Sequence, residues 1–535
     1  MKTITGIHAT PALEIISKIE SGQIKSKKQL EKEKANVSKK YSLGRIIKNT
    51  QIIPHTKNHS TIRFLQMKPV RTASGVATIA VMWKYNEIAG PCPANCVYCP
   101  KGSGVAFGKK WNAPKAYTGT EPTTQRAMRF DYDAYAQIQN RLMQFNIMGH
   151  PSDKCELIIM GGTFTSIPLS AQEEFIKQCF DSFNGQISSS LQDAQKINET
   201  AKNRCIGLTI ETRADYCYQQ TIEKMLSFGT TRVEIGVQST SDEILNLINR
   251  GHDAQANIEA FLRLRNNGLK ITAHWMPGLT GLKGKLDADQ EVESFKKLFT
   301  EDYQPDEIKI YPALVIEGTK LNELWKQGKY EPLTDESFTE LLAKLKQHVP
   351  AHVRIKNVMR DIPHTEATAG ASRTNLRQLA NRKMEKQGLY CNCIRCREVG
   401  LSKKEIGTIE LLVEKFRAGT ERRGERQSTI GDEYFISVED KKQNLLLGFI
   451  RLRITNNNAF IRELHVYGQM VPIGAHEPEG VQHKGIGKQL LQKAEEICIS
   501  SGVKKLLVTS GVGVREYYKK HGYELEGYYM AKNLY

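Results

Sequence analysis

Between Val76 and about residue 385 two hydrophobic patterns take turns along the chain. Short apolar runs read as buried strands: VATIAVMW (Val76 to Trp83), CELIIMGG (Cys155 to Gly162), CIGLTIETR (Cys205 to Arg213), RVEIGVQS (Arg232 to Ser239), LKITAHWMPG (Leu269 to Gly278) and EIKIYPAL (Glu307 to Leu314). Between them lie longer stretches in which apolar residues recur at helical spacing, Ala171 to Phe183 among them. A repeated strand-helix rhythm specifies an α/β fold with a parallel sheet or barrel. Functional groups in such folds collect at the C-terminal ends of the strands, where this chain carries GGT, ETR and QST.

The rhythm changes near residue 405. The runs TIELLVEKF, DEYFISVED, NLLLGFIRLRI and AFIRELHVYG are spaced as an antiparallel meander, followed by a glycine-rich turn, a helix from Lys488 to Ser501 and the strand KKLLVTS. Before residue 71 the pattern is helical. The expected organisation is a basic helical region over 1–75, a strand-helix domain over 76–385, a cysteine-rich linker over 386–404 and an α+β domain over 405–535. A chain of 535 residues has room for these units.

Charge adds a direction to this layout. The chain carries a net charge of +18, and residues 1–71 hold 15 basic against 4 acidic side chains. Clustered cations bind polyanions by releasing condensed counterions, so the N-terminal region is expected to meet nucleic acid. For Glu31 to Lys40 alone a solvated face is the simpler account; the basic residues continue, however, through Arg45, Lys48, Lys57, Arg63, Lys68 and Arg71 with apolar residues between them. Neither a signal-peptide core nor a run of about 18 apolar residues occurs, which predicts a cytosolic protein with no membrane contact.

Six of the 11 cysteines fall in two tight clusters, a pattern of metal ligands rather than of a secreted disulfide framework. Cys92, Cys96 and Cys99 offer three thiolates on one proline-stiffened loop directly after the first strand. A structural zinc site wants a fourth Cys or His nearby. A four-iron cluster held by three thiolates instead keeps one iron open for a small molecule. Cys391, Cys393 and Cys396 form the second cluster and point to structural Zn2+, with His364 as one candidate fourth ligand.

The first loop resembles the radical-SAM signature. The stretches KPVRTASGVATIAVM, CPANCVYCPKG, AYTGTEPTTQRAMR, PDEIKIYPALVIEGTKLNELWKQGKY and RDIPHTEATAG are similar to the catalytic subunit of Elongator, the Elp3 family. The resemblance implies a partial TIM-like (β/α) radical-SAM barrel, holding a [4Fe-4S] cluster on Cys92, Cys96 and Cys99 whose open iron chelates S-adenosylmethionine (SAM). It places Gly161, Gly162 and Thr163 beside the methionine moiety, where absent side chains let backbone approach a ligand. Glu211, Arg213 and Gln238 are then candidates for the SAM ribose or carboxylate. Lys309, with Tyr117, Tyr311 and Arg360, is a candidate for the face where substrate meets cofactor; Lys309 and Tyr311 share one side of a strand, either the lumen or the helix layer.

The C-terminal domain resembles the GNAT acetyltransferase fold. The turn Gln482, His483, Lys484, Gly485, Ile486, Gly487 opens a helix and offers backbone N–H groups to a CoA pyrophosphate, next to a strand ending in His465, Val466 and Tyr467. Tyr517 or Tyr518 is the candidate proton donor at the thioester; adjacent helical residues diverge by about 100°, so only one can face the site. Glu463 is expected in a surface ion pair rather than as a general base.

Taken together, the resemblance implies an enzyme that joins acetyl-CoA to C5 of the wobble uridine of tRNA through SAM-derived radical chemistry. It further implies an electron donor, recognition of the anticodon stem-loop, and Elongator-type subunits as partners. A protein lysine acetyltransferase and a non-enzymatic tRNA-binding scaffold are the competing accounts.

Overall fold

The computed structural model describes residues 9–83, 92–100, 103–106, 109–419, 430–455, 458–468 and 485–535. Four helices, Ala9–Glu20, Lys27–Lys40, Asn49–Ile52 and His59–Leu65, form the N-terminal unit. Ser26 starts the second of them through a capping box with Gln29, and Asn58 caps the fourth. Ala12, Ile15, Leu30, Val37, Ile52 and Leu65 pack into a small core. The unit docks on the barrel through His150, whose ring meets Gln66, Thr72 and the carbonyl of Met67.

The strand-helix region folds into one seven-stranded sheet: β1 (Ala77–Met82), β2 (Lys154–Met160), β3 (Arg204–Thr212), β4 (Arg232–Gln238), β5 (Lys270–Trp275), β6 (Glu307–Ile310) and β7 (Arg354–Val358). The strands lie in chain order and every pairing is parallel, as the expected partial barrel requires. Alternation along each strand divides the residues into two layers. Leu157, Ile159, Leu208, Ile210, Val233, Ile235, Ile271, Ala273, Ile308 and Ile310 join the apolar core under the helices, including Phe175, Ile176 and Phe180 of helix Leu169–Asn184.

The opposite face is charged. Where barrels of this type are ordinarily filled by branched aliphatics, this lumen holds Glu156, Arg232, Glu234, Glu307, Lys309 and Lys356 in a ladder of ion pairs. Such burial is costly unless every charge finds a partner.

The C-terminal domain is a second seven-stranded sheet containing β8 (Glu410–Ala418), β9 (Gly431–Asp440), β10 (Leu445–Ile454), β11 (Ala459–Val466), β12 (Lys505–Val508), β13 (Glu524–Glu526) and β14 (Tyr529–Asn533), in the order β8-β9-β10-β11-β12-β14-β13. β8 to β11 make the expected meander. β11 and β12 run parallel but pair only over Ala459–Ile461, so from Arg462 to Val466 β11 keeps β10 as its neighbour and parts from β12, and the sheet splays open. Helix Ile486–Ser500 covers one face with Leu490, Leu491, Ala494 and Cys498.

The other face of this sheet closes the N-terminal rim of the barrel. Arg462 makes a two-pronged pair with Asp306, at 2.7 and 2.6 Å. Arg451 donates to the carbonyls of His352 and Asp306. Glu463 accepts from Arg451 at 3.0 Å and faces Lys270 at 3.4 Å. The expectation that Glu463 sits in a surface pair is corrected here: it is buried, and its carboxylate belongs to the seam between domains. Glycine makes the seam possible at one point, since a Cβ on Gly511 would lie 2.1 Å from the carbonyl oxygen of Ile206.

Candidate active sites

At the C-terminal end of the barrel, Cys92, Cys96 and Cys99 line a cavity of about 160 Å³. The loop is tied down by Lys115, which donates to the carbonyls of Cys92 and Ala94, and by the Cys99 thiol, which donates to the carbonyl of Lys115 at 2.9 Å. Thr163 Oγ1 donates to Cys92 Sγ at 3.2 Å, and the Arg250 guanidinium lies 3.6 Å from Cys96 Sγ. Arg250 reaches this position because residue 236 is glycine: a Cβ there would stand 2.6 Å from Arg250 Nη2.

Gly161 and Gly162 follow β2 with φ of 139° and 89°, in the left-handed half of the map, and Gly162 and Thr163 line the cavity. Glu211, at the end of β3, accepts from Tyr117 Oη at 2.9 Å. Burial and the Glu211 charge push the Tyr117 phenol well above its ordinary range, keeping it a proton donor. Gln238 closes β4 with φ of 68°, a strained value for a residue other than glycine. Arg213 also lines the cavity, but its fork is committed to Asp215 at 2.9 and 2.7 Å and to the carbonyl of Arg250.

Lys309 and Tyr311 point to the lumen, which settles the side left open by their spacing. Lys309 pairs with Glu234, which also accepts from His274 Nε2 at 2.9 Å. Burial alone would raise the Glu234 carboxyl; the charge of Lys309 and the bond from His274 overcome it and hold the group well below the carboxylate range. Burial pushes Tyr311 up to about 12. Tyr117, Tyr311 and Arg360 line the cavity with Glu234 and His274, and Lys309 stands behind them.

In the C-terminal domain, Gly485 (φ 83°) precedes the helix beginning at Ile486. Gln482, His483 and Lys484 lie outside the described residues. The splay and the turn come together at Gly487, where a Cβ would meet Tyr517 Oη at 2.9 Å and Val466 at 3.8 Å. Tyr518 instead packs in the core against Tyr523. Two of the strand-end candidates turn away from the turn. His465 Nε2 contacts the carbonyl of Ser74 at 2.9 Å, and Tyr467 Oη accepts from Arg354 at 2.8 Å, so both side chains belong to the domain seam. Glu199 of the barrel domain grips Arg515 and Lys519, one helical turn apart, at 3.2 and 2.9 Å, and thereby orients the short helix that bears Tyr517.

Family comparisons follow the same division of the chain. The ELP3 N-terminal domain matches residues 10–73, the radical SAM superfamily 87–291, the radical SAM C-terminal domain 305–386 and the acetyltransferase (GNAT) family 408–523. A protein named tRNA uridine(34) acetyltransferase from Methanocaldococcus jannaschii is 42% identical over 97% of this chain and 96% of its own length. The chain belongs to the Elp3 family. Elongator complex protein 3 of Danio rerio is 39% identical, covering 95% of this chain and 93% of that protein. The solved structure of the archaeal Methanocaldococcus infernus Elp3 with an N-terminal deletion superposes with a TM-score of 0.72 at 39% identity, over 86% of this chain and 99% of that one.

The second thiol cluster of this Elp3-family chain is compact. Sulfur atoms of Cys391, Cys393 and Cys396 all lie within 4.8 Å of one another. Lys346 approaches Cys396 Sγ at 4.0 Å. His364 sits exposed on a short turn and is not part of the group, so the expected imidazole ligand is not supplied from there.

Sequence reasoning missed Arg250, Lys115, Glu234 and His274. The last two carried a signal: each is an ionisable side chain inside an apolar run, two residues from Gly236 and two from Thr272, on the lumen-facing period. Arg250 had none, because it comes from a loop that only tertiary folding brings to Cys96.

Proposed function

We propose that this chain is a tRNA-modifying enzyme that carboxymethylates C5 of wobble uridine 34, using SAM-derived radical chemistry and acetyl-CoA. The observation that carries this reading is near-full-length similarity to proteins named tRNA uridine(34) acetyltransferase, in a chain that also gathers three thiols around one cavity. When bound, the cluster and SAM supply hydrogen-atom abstraction, and acetyl-CoA supplies the two-carbon unit.

The residues present fit those groups. Three thiols, a side chain cation at Cys96 and a glycine pair at the strand end are the donor set of a cluster with one iron left for a chelating ligand. Arg250 Nε is buried at the cavity wall without a partner among the described residues. Cys92, Cys96 and Cys99 would hold the irons, Gly161 to Thr163 would lie against the methionine portion of SAM, and Glu211 and Gln238 would bind its polar groups. Arg213 contributes its charge, since its donors are already engaged. Replacing the C5 hydrogen of a uracil by radical addition releases one proton and one electron; the cluster, when bound, would take up the electron, and of the carboxylates lining the cavity Glu211, bonded to Tyr117, and Glu234, bonded to His274, are candidates for the proton. Lys309 holds Glu234 ionised, at the expense of its basicity.

At the acetyl-CoA end, the Gln482 to Gly487 turn would receive the pyrophosphate and Tyr517 the thioester. Tyr517→Phe should lower thioester turnover about 100-fold, the usual worth of one positioned proton donor. Tyr518→Phe should stay within about twofold, because its ring serves the core. Steady-state CoA release from the two variants checks this, and a reversed order would assign the donor to Tyr518.

Cys391, Cys393 and Cys396 would hold Zn2+, fastening the linker to the barrel. The partners are tRNA, an electron donor and Elongator-type subunits. The reading is tested by anaerobic reconstitution with tRNA, labelled acetyl-CoA, SAM and a reductant, followed by nucleoside mass analysis and metal content. Labelled carboxymethyluridine at position 34, with zinc beside the cluster iron, is expected. Unmodified tRNA with SAM uncleaved, or acetylated lysine formed without SAM, would sink it.

A further inference from the structure

A groove of about 380 Å³ lies between helix Pro122–Arg129, helix Ala134–Ile147 and the turn Pro69–Thr72. Arg71, Arg126, Arg129 and Arg141 converge on it, beside Gln125 and Asn140, and among the described residues no carboxylate lines it. Several buried arginines of the chain are neutralised by carboxylates: Arg213 by Asp215, Arg397 by Glu439, Arg462 by Asp306. Here the partners are neutral. Arg126 donates to the carbonyl of Ala80, Arg71 contacts the Met148 sulfur at 3.4 Å, and Arg141 donates to Gln144 at 3.0 Å while lying over the Phe145 ring. Burial, and then the like charges of Arg126 and Arg71, depress the Arg141 guanidinium to about 10. Like charges held together without a counterion form a site that gains by taking an anion.

The position of the groove identifies the anion. Helix Pro122–Arg129 is a wall shared with the cysteine cavity: Glu121 and Thr123 at its start face the cavity, while Arg126 and Arg129 face the groove. Eight residues of helix span about 12 Å, a distance that a single nucleotide and its flanking phosphates bridge. An enzyme acting on a base extrudes it into a pocket while its backbone stays outside. Arginine forks match phosphate oxygens in pairs, and Arg71 joins the groove to the basic N-terminal unit.

We propose that Arg71, Arg126, Arg129 and Arg141 form a phosphate clamp for RNA, gripping the backbone next to the nucleotide whose base enters the cysteine cavity. The clamp sets which nucleotide reaches the cavity, because the shared helix fixes the offset between phosphate and base. This rests on the proposed function.

The test uses the full chain and a fluorescent anticodon stem-loop RNA, with binding measured by anisotropy between 50 and 200 mM salt, a range in which phosphate contacts are strongly expressed. The double variant Arg129→Gln/Arg141→Gln removes two contacts and leaves Arg126, which is tied to Ala80, in place. Binding should weaken at least tenfold at the lower salt, and the slope of log K against log salt should flatten by about 1.4, two phosphates at about 0.7 each for a single strand. Arg71→Gln, at an exposed position, should flatten it by about 0.7. Lys403→Gln, a charge removed from a remote exposed site, should leave the slope unchanged. Equal affinity and slope in the arginine variants, with wild type binding and modifying RNA, would overturn the clamp alone. A wild type that neither binds nor modifies RNA would overturn the proposed function along with it. Displacement from the groove by polyglutamate and not by RNA would assign it to an acidic protein, against the clamp.

Discussion

Replacing Cys96 with alanine should reduce SAM cleavage to background and strip the reconstituted protein of its cluster iron. Cys96 is the most buried of the three loop thiols, belongs to one apolar cluster with Tyr98, Ile248 and Ala313, and lies 3.6 Å from the Arg250 guanidinium. With three thiolates on four irons one site is open by design; with two, a second iron is exposed and the cluster loses its anchor. The substitution removes a single heavy atom, so the fold should lose only about 1 kcal/mol. That separates the two effects. Iron and sulfide analysis after anaerobic reconstitution should show the loss, while acetyl-CoA binding, proposed for the turn ending at Gly487 in the other domain, should stay within about twofold. Retained iron together with retained cleavage would remove Cys96 from the cluster; a variant isolated with zinc in its place would argue for the zinc site that three thiols alone do not complete.

Much of this centre is legible in the chain because its parts are local. Cys92, Cys96 and Cys99 share a loop, Gly161 to Thr163 share a strand end, and Glu211 and Gln238 mark strand termini that the two-residue period aims at one end of a barrel. Lys309 and Tyr311 were placed on one side of one strand, and folding only had to select the lumen. What the sequence left dark is non-local. Arg250 and Lys115 approach the thiols from loops that no spacing connects to them. Local patterning also mistook the end of β11: His465 and Tyr467 close the strand that precedes the glycine turn, yet a packed neighbour claims both side chains. Glu463 looked like a surface residue because charge in an otherwise apolar strand ordinarily faces water. Here the facing surface is the charged rim of another domain.

That rim carries the largest expected effect on stability. Asp306 precedes β6 at the bottom of the barrel and is buried with both carboxylate oxygens on Arg462, a further contact to Arg451 at 3.6 Å, and the backbone N–H of Ile271 at 2.9 Å. Asp306→Ala would take from Arg462 its two-pronged partner and from Arg451 its contact at 3.6 Å, leaving them only Glu433 and Glu463 respectively, and removing one partner of a buried pair costs up to about 3 to 5 kcal/mol. The loss should fall on domain docking, since each domain keeps its own apolar core. Limited proteolysis within residues 386–410 should accelerate, and the first transition in urea should move to lower denaturant ahead of the second. Acid should act on wild type in the same direction. Burial alone would raise the Asp306 carboxyl, but the charges of Arg462 and Arg451 hold it well below the ordinary range, and Glu463 is likewise held at about 2 by Lys270 and Arg451 against its burial. A depressed carboxyl contributes its full stability above its unfolded value, about 4 for both types, and loses it as pH falls through the folded value. Docking should therefore be constant from neutral pH to about 5 and weaken from about 4 downward, whereas in Asp306→Ala the acid-sensitive part should be smaller by the share of that one group. An unchanged first transition in the variant, or an acid profile identical to wild type, would show that the seam is held by its packing and not by its charges.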